Sequence, residues 1–362
     1  MTAHLSKTMR AAVLYGKEDV RVERIPVPMP EPGELLLRVE VALTCGTDLK
    51  VFRHGYHAAM IRPPSVFGHE MAGIVAACGA TPTGEDAAEL AQAVRATRFA
   101  PGARVVVANS APCGTCYACR RGQENLCEDL HFLNGAYAEY VRVPARFVEK
   151  STYRIADHIS FAAAALAEPL ACVVHGLDET APRPDDTVAV LGLGPIGLMF
   201  VALLKARGAT VVGLGRHAPR LKAAQELGAD AVLDVDAGAH WQAELQRRYP
   251  RLDVVIEATG KPEAWELALA LVRKGGSVNL FGGCPAGTKI TVDTHRLHYD
   301  QITVRSSFHH RPAAFRAALT ALEQGLVPPG PLIGGERTLE ELPKLFRDML
   351  HANRSVKTCI RP

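Results

Sequence analysis

The sequence predicts an α/β protein in which a doubly wound parallel sheet is joined to a separate β-rich part. Three observations carry this. From Thr187 apolar strand runs alternate with helical runs: VAVLG, IGLMFVALLKARG, TVVGLG, PRLKAAQELG, DVVIEAT, PEAWELALALVRKG and GSVNLFG. That is the pattern of a parallel sheet covered by helices. Before residue 156 the chain instead shows short runs alternating apolar and polar residues, as half-buried strands do. The length of 362 residues is enough for two domains.

Taken in order, residues 9–27 read as strand, with MRAAVLY and VRVERIPVP. Pro26, Pro28, Pro30 and Pro32 interrupt the ladder and mark an edge or linker. ELLLRVEVALT is the next strand and runs directly into Cys45. Gly46 allows close approach of the backbone there, and a short helix is expected from Asp48 to Phe52, capped by Thr47 or Asp48. Residues 66–79 read strand, turn, strand. The segment 80–102 differs in character and predicts a surface helix from Glu85 to Thr97, capped near Thr83. ARVVVANS is a strand, and NGAYAEYVRVP a strand pair. DHISFAAAALAEPLACVVHGLDET is Ala-rich and helical in period. After the parallel-sheet region, TVRSSF reads as a strand, and FRAALTALEQG and LEELPKLFRDML as helices.

The charge balance of 41 Lys and Arg against 38 Asp and Glu leaves +3. That is too little to argue for nucleic acid or an anionic membrane. No apolar run reaches membrane-spanning length, and MTAHLSKTMR lacks the apolar core of a secretory signal, so a cytoplasmic location is expected. Nine cysteines, an odd number and tightly clustered in part, suit metal rather than disulfides.

The strongest motif is Cys113-x2-Cys116-x2-Cys119-x7-Cys127. Four thiolates in so short a segment suit one tetrahedral structural zinc, with no open position. Iron–sulfur chains also use Cys-x2-Cys-x2-Cys but continue with another short gap and a proline; the wider last gap favours zinc. The second motif is Gly192-x-Gly194-x-x-Gly197, with Pro195 and Ile196 between the last two glycines. It follows a strand and opens a helix, the context of a dinucleotide fingerprint, and the helix N-terminus would face the pyrophosphate. NAD sites place an acid at the end of the next strand. Here Gly215 stands at that place, followed by Arg216, His217 and Arg220. An arginine there grips a 2′-phosphate through its fork of donors, which predicts NADP in preference to NAD. The third constellation offers a thiol, an imidazole and a carboxylate at Cys45, His69 and Glu70, with Glu168 in AEPLA as a further distant donor. This mixture suits a catalytic zinc with one open position.

These residues together resemble the zinc-dependent medium-chain alcohol dehydrogenases, and within them the sorbitol (polyol) and threonine dehydrogenases. CGTD at 45–48, GHE at 68–70, the four-cysteine lobe, Glu168-Pro169-Leu170 and GLGPIG carry the likeness. It implies a Rossmann cofactor domain at 161–300 and a GroES-like catalytic domain at 1–160, with the zinc lobe at 110–130. The chain would return to the catalytic domain at 301–362, with the active site in the cleft. It implies that Cys45, His69 and Glu168 hold the catalytic zinc, with Glu70 a supporting or alternate ligand. Asp48 would orient His69, and Thr47 would take the substrate's hydroxyl proton. Lys50 stands where many relatives carry a relay histidine, and the usual Gly-Asp-Arg-Val reads Gly102-Ala103-Arg104-Val105. In SFHHRP, His309 and His310 replace a polar Arg-Tyr pair near the substrate, so His309 is a candidate for substrate hydroxyls or a phosphate. Phe67 and Tyr56 either border the cleft or pack in the core. Relatives pair through edge strands of the cofactor domain, which points to a homo-oligomer, dimer or tetramer, with 276–283 in the contact region.

The function expected is hydride transfer between NADP(H) and a secondary alcohol or ketone of a polyol, cyclitol, sugar or amino alcohol. An NAD-preferring polyol or threonine-type dehydrogenase is the alternative. A zinc-free quinone or enoyl reductase is disfavoured by the intact Cys45, His69 and Glu168. A structural or binding protein that has lost its chemistry would be expected to have lost ligands or glycines, and neither is lost.

Overall fold

The computed structural model describes residues 6–57, 60–79, 99–238, 240–351 and 356–362. The chain forms two compact units. One comprises Met1–Glu168, Gly334–Asn353 and Lys357–Pro362; the other comprises Pro169–Ile333 and Arg354–Val356. The helix expected from Glu85 to Thr97 lies outside the described residues. No helix among the described residues is long and apolar enough to cross a membrane.

The first unit is built on a seven-stranded sheet. Its path runs through Thr152–Arg154, Arg104–Val107, Glu70–Cys78, Leu35–Leu43, Lys357–Arg361 and Ile333–Thr338, and Tyr140–Val143 also pairs with Leu35–Leu43. The strand Leu35–Leu43 is its centre. It pairs antiparallel with Glu70–Cys78 along one edge, while the other edge is shared by Tyr140–Val143 and Lys357–Arg361. NGAYAEYVRVP supplies one strand of this sheet rather than a pair; its first part is bound instead by single contacts, such as the bridge from Ala11 to Ala138. Phe52, Phe67, Tyr137 and Phe346 are fully buried and pack their rings together at centroid distances of 5.1 to 6.0 Å. Phe67 is thus a core residue, and Tyr56 is exposed.

The helix Gly46–His54 begins two residues earlier than the expected start at Asp48. Its N-cap is Cys45, whose sulfur accepts from the Thr47 amide at 3.4 Å. It ends at Gly55, where φ is +84° and an added Cβ would lie 2.4 Å from the Lys17 nitrogen, so only glycine fits.

The second unit holds a six-stranded sheet in the order Ala231–Asp234, Thr210–Gly215, Thr187–Leu191, Leu252–Glu257, Val272–Leu280, Thr303–Ser306. Every pair in it is parallel. The inner strands are almost wholly buried, which explains their continuous apolar runs. Two details depart from the sequence reading. The helix expected over PEAWELALALVRKG stops at Leu271, and Val272 already pairs with Leu252 in the sheet. Residues 276–283 begin in Val272–Leu280, an interior strand. The edges belong to Ala231–Asp234 and to Thr303–Ser306, the latter exposed throughout.

Candidate active site

The strand Leu35–Leu43 delivers Cys45 to one end of the central sheet, and its neighbour Glu70–Cys78 starts with Glu70 directly after His69. Leu43 is the register partner of Glu70, so the pairing itself brings the thiol beside the imidazole. One donor atom each from Cys45, His69 and Glu70 lie within 4.8 Å of one another. Glu168 is not one of this compact trio. It stands in the first turn of the helix Ala167–Thr180, buried, and interacts electrostatically with His69 and Glu70. Burial pushes its carboxyl up to about 7, with His69 opposing and Glu70 adding to the rise.

Two further buried residues brace these donors. Asp48 Oδ1 lies 2.9 Å from His69 Nδ1, which leaves Nε2 as the ring's other donor atom, the arrangement that supports a metal-bound imidazole. Lys357 Nζ donates to both Glu70 oxygens at 2.6 Å and to the Thr44 carbonyl at 3.1 Å. Burial works against the Lys357 ammonium, but Glu70 outweighs it and holds the group above its usual pKa. Burial likewise opposes a charge on His69, yet Asp48 and Cys45 hold the ring well above its ordinary range. Surroundings that favour positive charge this strongly, with sulfur, nitrogen and oxygen donors converging, fit a divalent cation of zinc's softness.

Thr47 is half-buried in the first turn of its helix and Lys50 is exposed on the same helix. His309 and His310 follow the strand Thr303–Ser306 in the second unit. His309 takes a positive φ of 58° and its ring stacks on that of His310 at 4.1 Å, with His310 buried.

The four cysteines of the lobe also converge, each offering a sulfur within 4.8 Å of the others. Cys113 accepts from the amides of Thr115 and Cys116, which draw its pKa down to about 6, while burial pushes Cys119 up to about 12. Amides aimed at sulfur and a buried thiol crowded by others are what a bound cation would resolve. Because metal binding there contributes folding free energy, Cys113→Ser is expected to lower the melting temperature and to remove one metal per chain. Unchanged melting with unchanged metal content would contradict this.

In the second unit the glycine fingerprint forms one wall of a cavity of about 490 Å³. Gly192 has a φ of +98° and faces Thr259, and a Cβ on Gly197 would sit 1.8 Å from the Gly192 carbonyl. Gly194 caps the helix Pro195–Ala206, with Pro195 in its first turn and Ile196 next. The opposite wall includes Gly215, Arg216, Arg220, Trp241 and Lys261. A Cβ at Gly215 would press on Leu193 at 2.7 Å, so the strand ends without a side chain. Arg216 approaches Asp236 at 4.0 Å, both exposed. Burial lowers the Arg220 pKa, and the charge of Arg216 lowers it further. His217 N-caps the next helix at a φ of 72°. Glu257, fully buried, ties down the turn after its strand by accepting from the Thr259 amide and hydroxyl and from Gly260.

Lys357, Tyr137 and Glu257 were not singled out by sequence. Lys357 and Tyr137 meet partners far along the chain that only sheet register brings near, whereas Glu257 binds the turn two and three residues after it.

The alcohol dehydrogenase GroES-like domain family matches residues 31–153, and the zinc-binding dehydrogenase family matches 195–324. Sorbitol dehydrogenase of Bacillus subtilis is 30% identical over 371 residues, covering 100% of this chain and 99% of that protein. Erythritol/L-threitol dehydrogenase of Mycolicibacterium smegmatis is 31% identical over 385 residues, covering 100% of both. A crystal structure of a zinc-binding dehydrogenase from Sinorhizobium meliloti bound to NADP is 32% identical, with a TM-score of 0.87 over 99% of this chain and 100% of that one. The chain belongs to the zinc-binding medium-chain dehydrogenase/reductase superfamily and is related to its polyol and sugar-alcohol dehydrogenases.

Proposed function

We propose that this oxidoreductase uses NADP(H) in preference to NAD(H) and acts on a secondary alcohol or ketone of a polyol, cyclitol, sugar or amino alcohol. The converging donors Cys45, His69 and Glu70, with Glu168 close enough to feel their charge, are the observation that carries the reading. These residues would hold the catalytic zinc, and Cys113, Cys116, Cys119 and Cys127 a structural one. Bound zinc supplies Lewis acidity toward the alcohol or carbonyl oxygen, and the nicotinamide supplies a hydride acceptor or donor. The chain's own residues supply the rest. Asp48 holds the His69 ring in place, Lys357 opposes the burial that pushes the Glu70 carboxyl up, and Thr47 takes the proton of the substrate hydroxyl and passes it outward, with Lys50 further along. His309 is assigned to substrate hydroxyls.

The preference for NADP rests on Gly215, Arg216 and Arg220 lining the fingerprint cavity, where paired guanidinium groups favour a phosphate dianion. The Sinorhizobium relative binds NADP. Asp236, near Arg216, is the observation that favours NAD, since a carboxylate there could accept from ribose hydroxyls. Assembly into a homo-oligomer would use the exposed edge strand Thr303–Ser306.

The test is turnover of polyols, amino alcohols, sugar phosphates and simple secondary alcohols with each cofactor. NADP⁺ is expected to be faster. Arg216→Ala should cut the kcat/KM preference roughly 10- to 100-fold, the worth of a hydrogen bond to a charged group. Equal or better turnover with NAD⁺ would overturn the cofactor assignment.

A further inference from the structure

We propose that Tyr137 is a positioning residue for the catalytic metal centre: its hydroxyl fixes the Asp48 carboxylate, which in turn sets the direction of the His69 ring. The inference rests on the reading of Cys45, His69 and their carboxylate neighbours as a metal site.

The geometry is a chain of three side chains sealed from water. Tyr137 is 0% exposed, Asp48 1% and His69 4%. Asp48 divides its two oxygens between its neighbours: Oδ1 faces His69 Nδ1 at 2.9 Å, and Oδ2 accepts from the Tyr137 hydroxyl at 2.7 Å. The same hydroxyl lies 3.1 Å from the Leu43 carbonyl. Tyrosine has a single proton to give, and the shorter contact assigns it chiefly to Asp48. The phenol remains a donor, because burial and then Asp48 hold its pKa well above the usual value.

The hydroxyl's place is set from several sides. Tyr137 donates its amide to the Phe67 carbonyl at 3.1 Å and accepts from the Ala12 amide at 2.8 Å. Its ring meets Phe67 edge-on at 5.1 Å and Phe346 at 6.0 Å. It also lies against Gly68, where an added Cβ would fall 2.6 Å from the ring and φ is +91°. The residue that anchors Asp48 thus also shapes the backbone leading into His69.

Tyr137 and Lys357 make parallel braces. Lys357 links the Thr44 carbonyl to Glu70, and Tyr137, its hydroxyl 3.1 Å from the Leu43 carbonyl, donates to Asp48. Both carbonyls precede Cys45, so the two braces stand beside the strand end that presents the thiol. Without the Tyr137 hydroxyl, Oδ2 would be buried without its donor. The carboxylate would then be free to rotate, which loosens its hold on His69.

Cobalt(II) serves as the probe in place of zinc, titrated into metal-depleted full-length protein against a chromophoric chelator. In the wild type, one cobalt band should depend on Cys45 and a second on Cys113. Tyr137→Phe keeps the ring, so the fold and the Cys113-dependent band should be retained, with only the modest fall in melting temperature that one unpaired buried oxygen costs. Affinity at the Cys45-dependent site should fall about 10- to 100-fold, as for other residues that support metal ligands, and its d–d band should shift. Adding Tyr137→Phe to Asp48→Asn should then cost little more, because the two act through one chain. If Tyr137→Phe binds cobalt at that site as tightly as the wild type, or weakens both sites alike through lost folding, the positioning role is overturned while the metal centre stands. If the wild type shows no Cys45-dependent cobalt, the metal-site reading fails and the role of Tyr137 falls with it.

Discussion

Cys45→Ser is expected to abolish turnover while leaving the fold intact. Cys45 supplies the only sulfur of the compact trio, from the end of the strand Leu35–Leu43. Serine keeps the size and can still cap the helix Gly46–His54, so the packing of Val51 and Phe52 beneath it should persist. A neutral hydroxyl is a far poorer zinc ligand than a thiolate. Lewis acidity is worth several kcal/mol of barrier, which corresponds to a loss of roughly 10³-fold or more in kcat. Turnover is compared at equal metal content, with circular dichroism to show the fold. Substantial activity in Cys45→Ser would end the zinc mechanism.

The second large effect is on stability. Lys357 is 2% exposed and Glu70 0%, and they meet at 2.6 Å. Removing one member of a buried pair leaves the other as an uncompensated charge. Lys357→Ala should therefore destabilise the metal-free protein by about 3–5 kcal/mol, read by chemical denaturation. The loss should shrink when metal is bound, because a divalent cation beside Glu70 replaces the missing charge. Glu70→Gln combined with Lys357→Ala should be less destabilising than the sum of the two. The Lys357 pKa is raised in the folded state. Its contribution is therefore complete below the unfolded lysine value of about 10.4 and is lost only as pH rises through the higher folded value. The gap between wild type and variant should stay level across neutral and mildly alkaline pH. A loss below about 1 kcal/mol, the value of an exposed pair, would contradict this account.

What could be read from the sequence was what local chain geometry dictates. The cysteines of the lobe are near neighbours, so spacing alone places their sulfurs together. Gly192, Gly194 and Gly197 are set by one tight turn between strand and helix, where Gly197 admits no Cβ. The α/β class followed from periodicity, since buried parallel strands must be apolar on both faces. The braces of the metal centre were not legible for the opposite reason. Lys357 reaches Glu70 across 287 residues and Tyr137 reaches Asp48 across 89, and both depend on sheet register. A lysine near the chain's end, in SVKTCIRP, looks like a solvated charge until its strand is known to pair with Leu35–Leu43. The strand Ala231–Asp234 and the helix His240–Arg248 also went unread: the first is only four residues long and the second presents a mostly polar surface. The choice between Glu70 and Glu168 as carboxylate partner of Cys45 and His69 likewise depends on pairing. Likeness names Glu168 as a ligand and Glu70 as a supporting or alternate one, and the register opposite Leu43 accounts for the place of Glu70 in the trio.

The central claim is that Cys45 and His69 share one metal ion with a buried carboxylate. Anomalous diffraction at the zinc edge from crystals of metal-replete protein tests it most directly. The account predicts two peaks per chain, one among Cys113, Cys116, Cys119 and Cys127 and one bonded to Cys45 Sγ and His69 Nε2. A single peak, confined to the four-cysteine lobe, would contradict it.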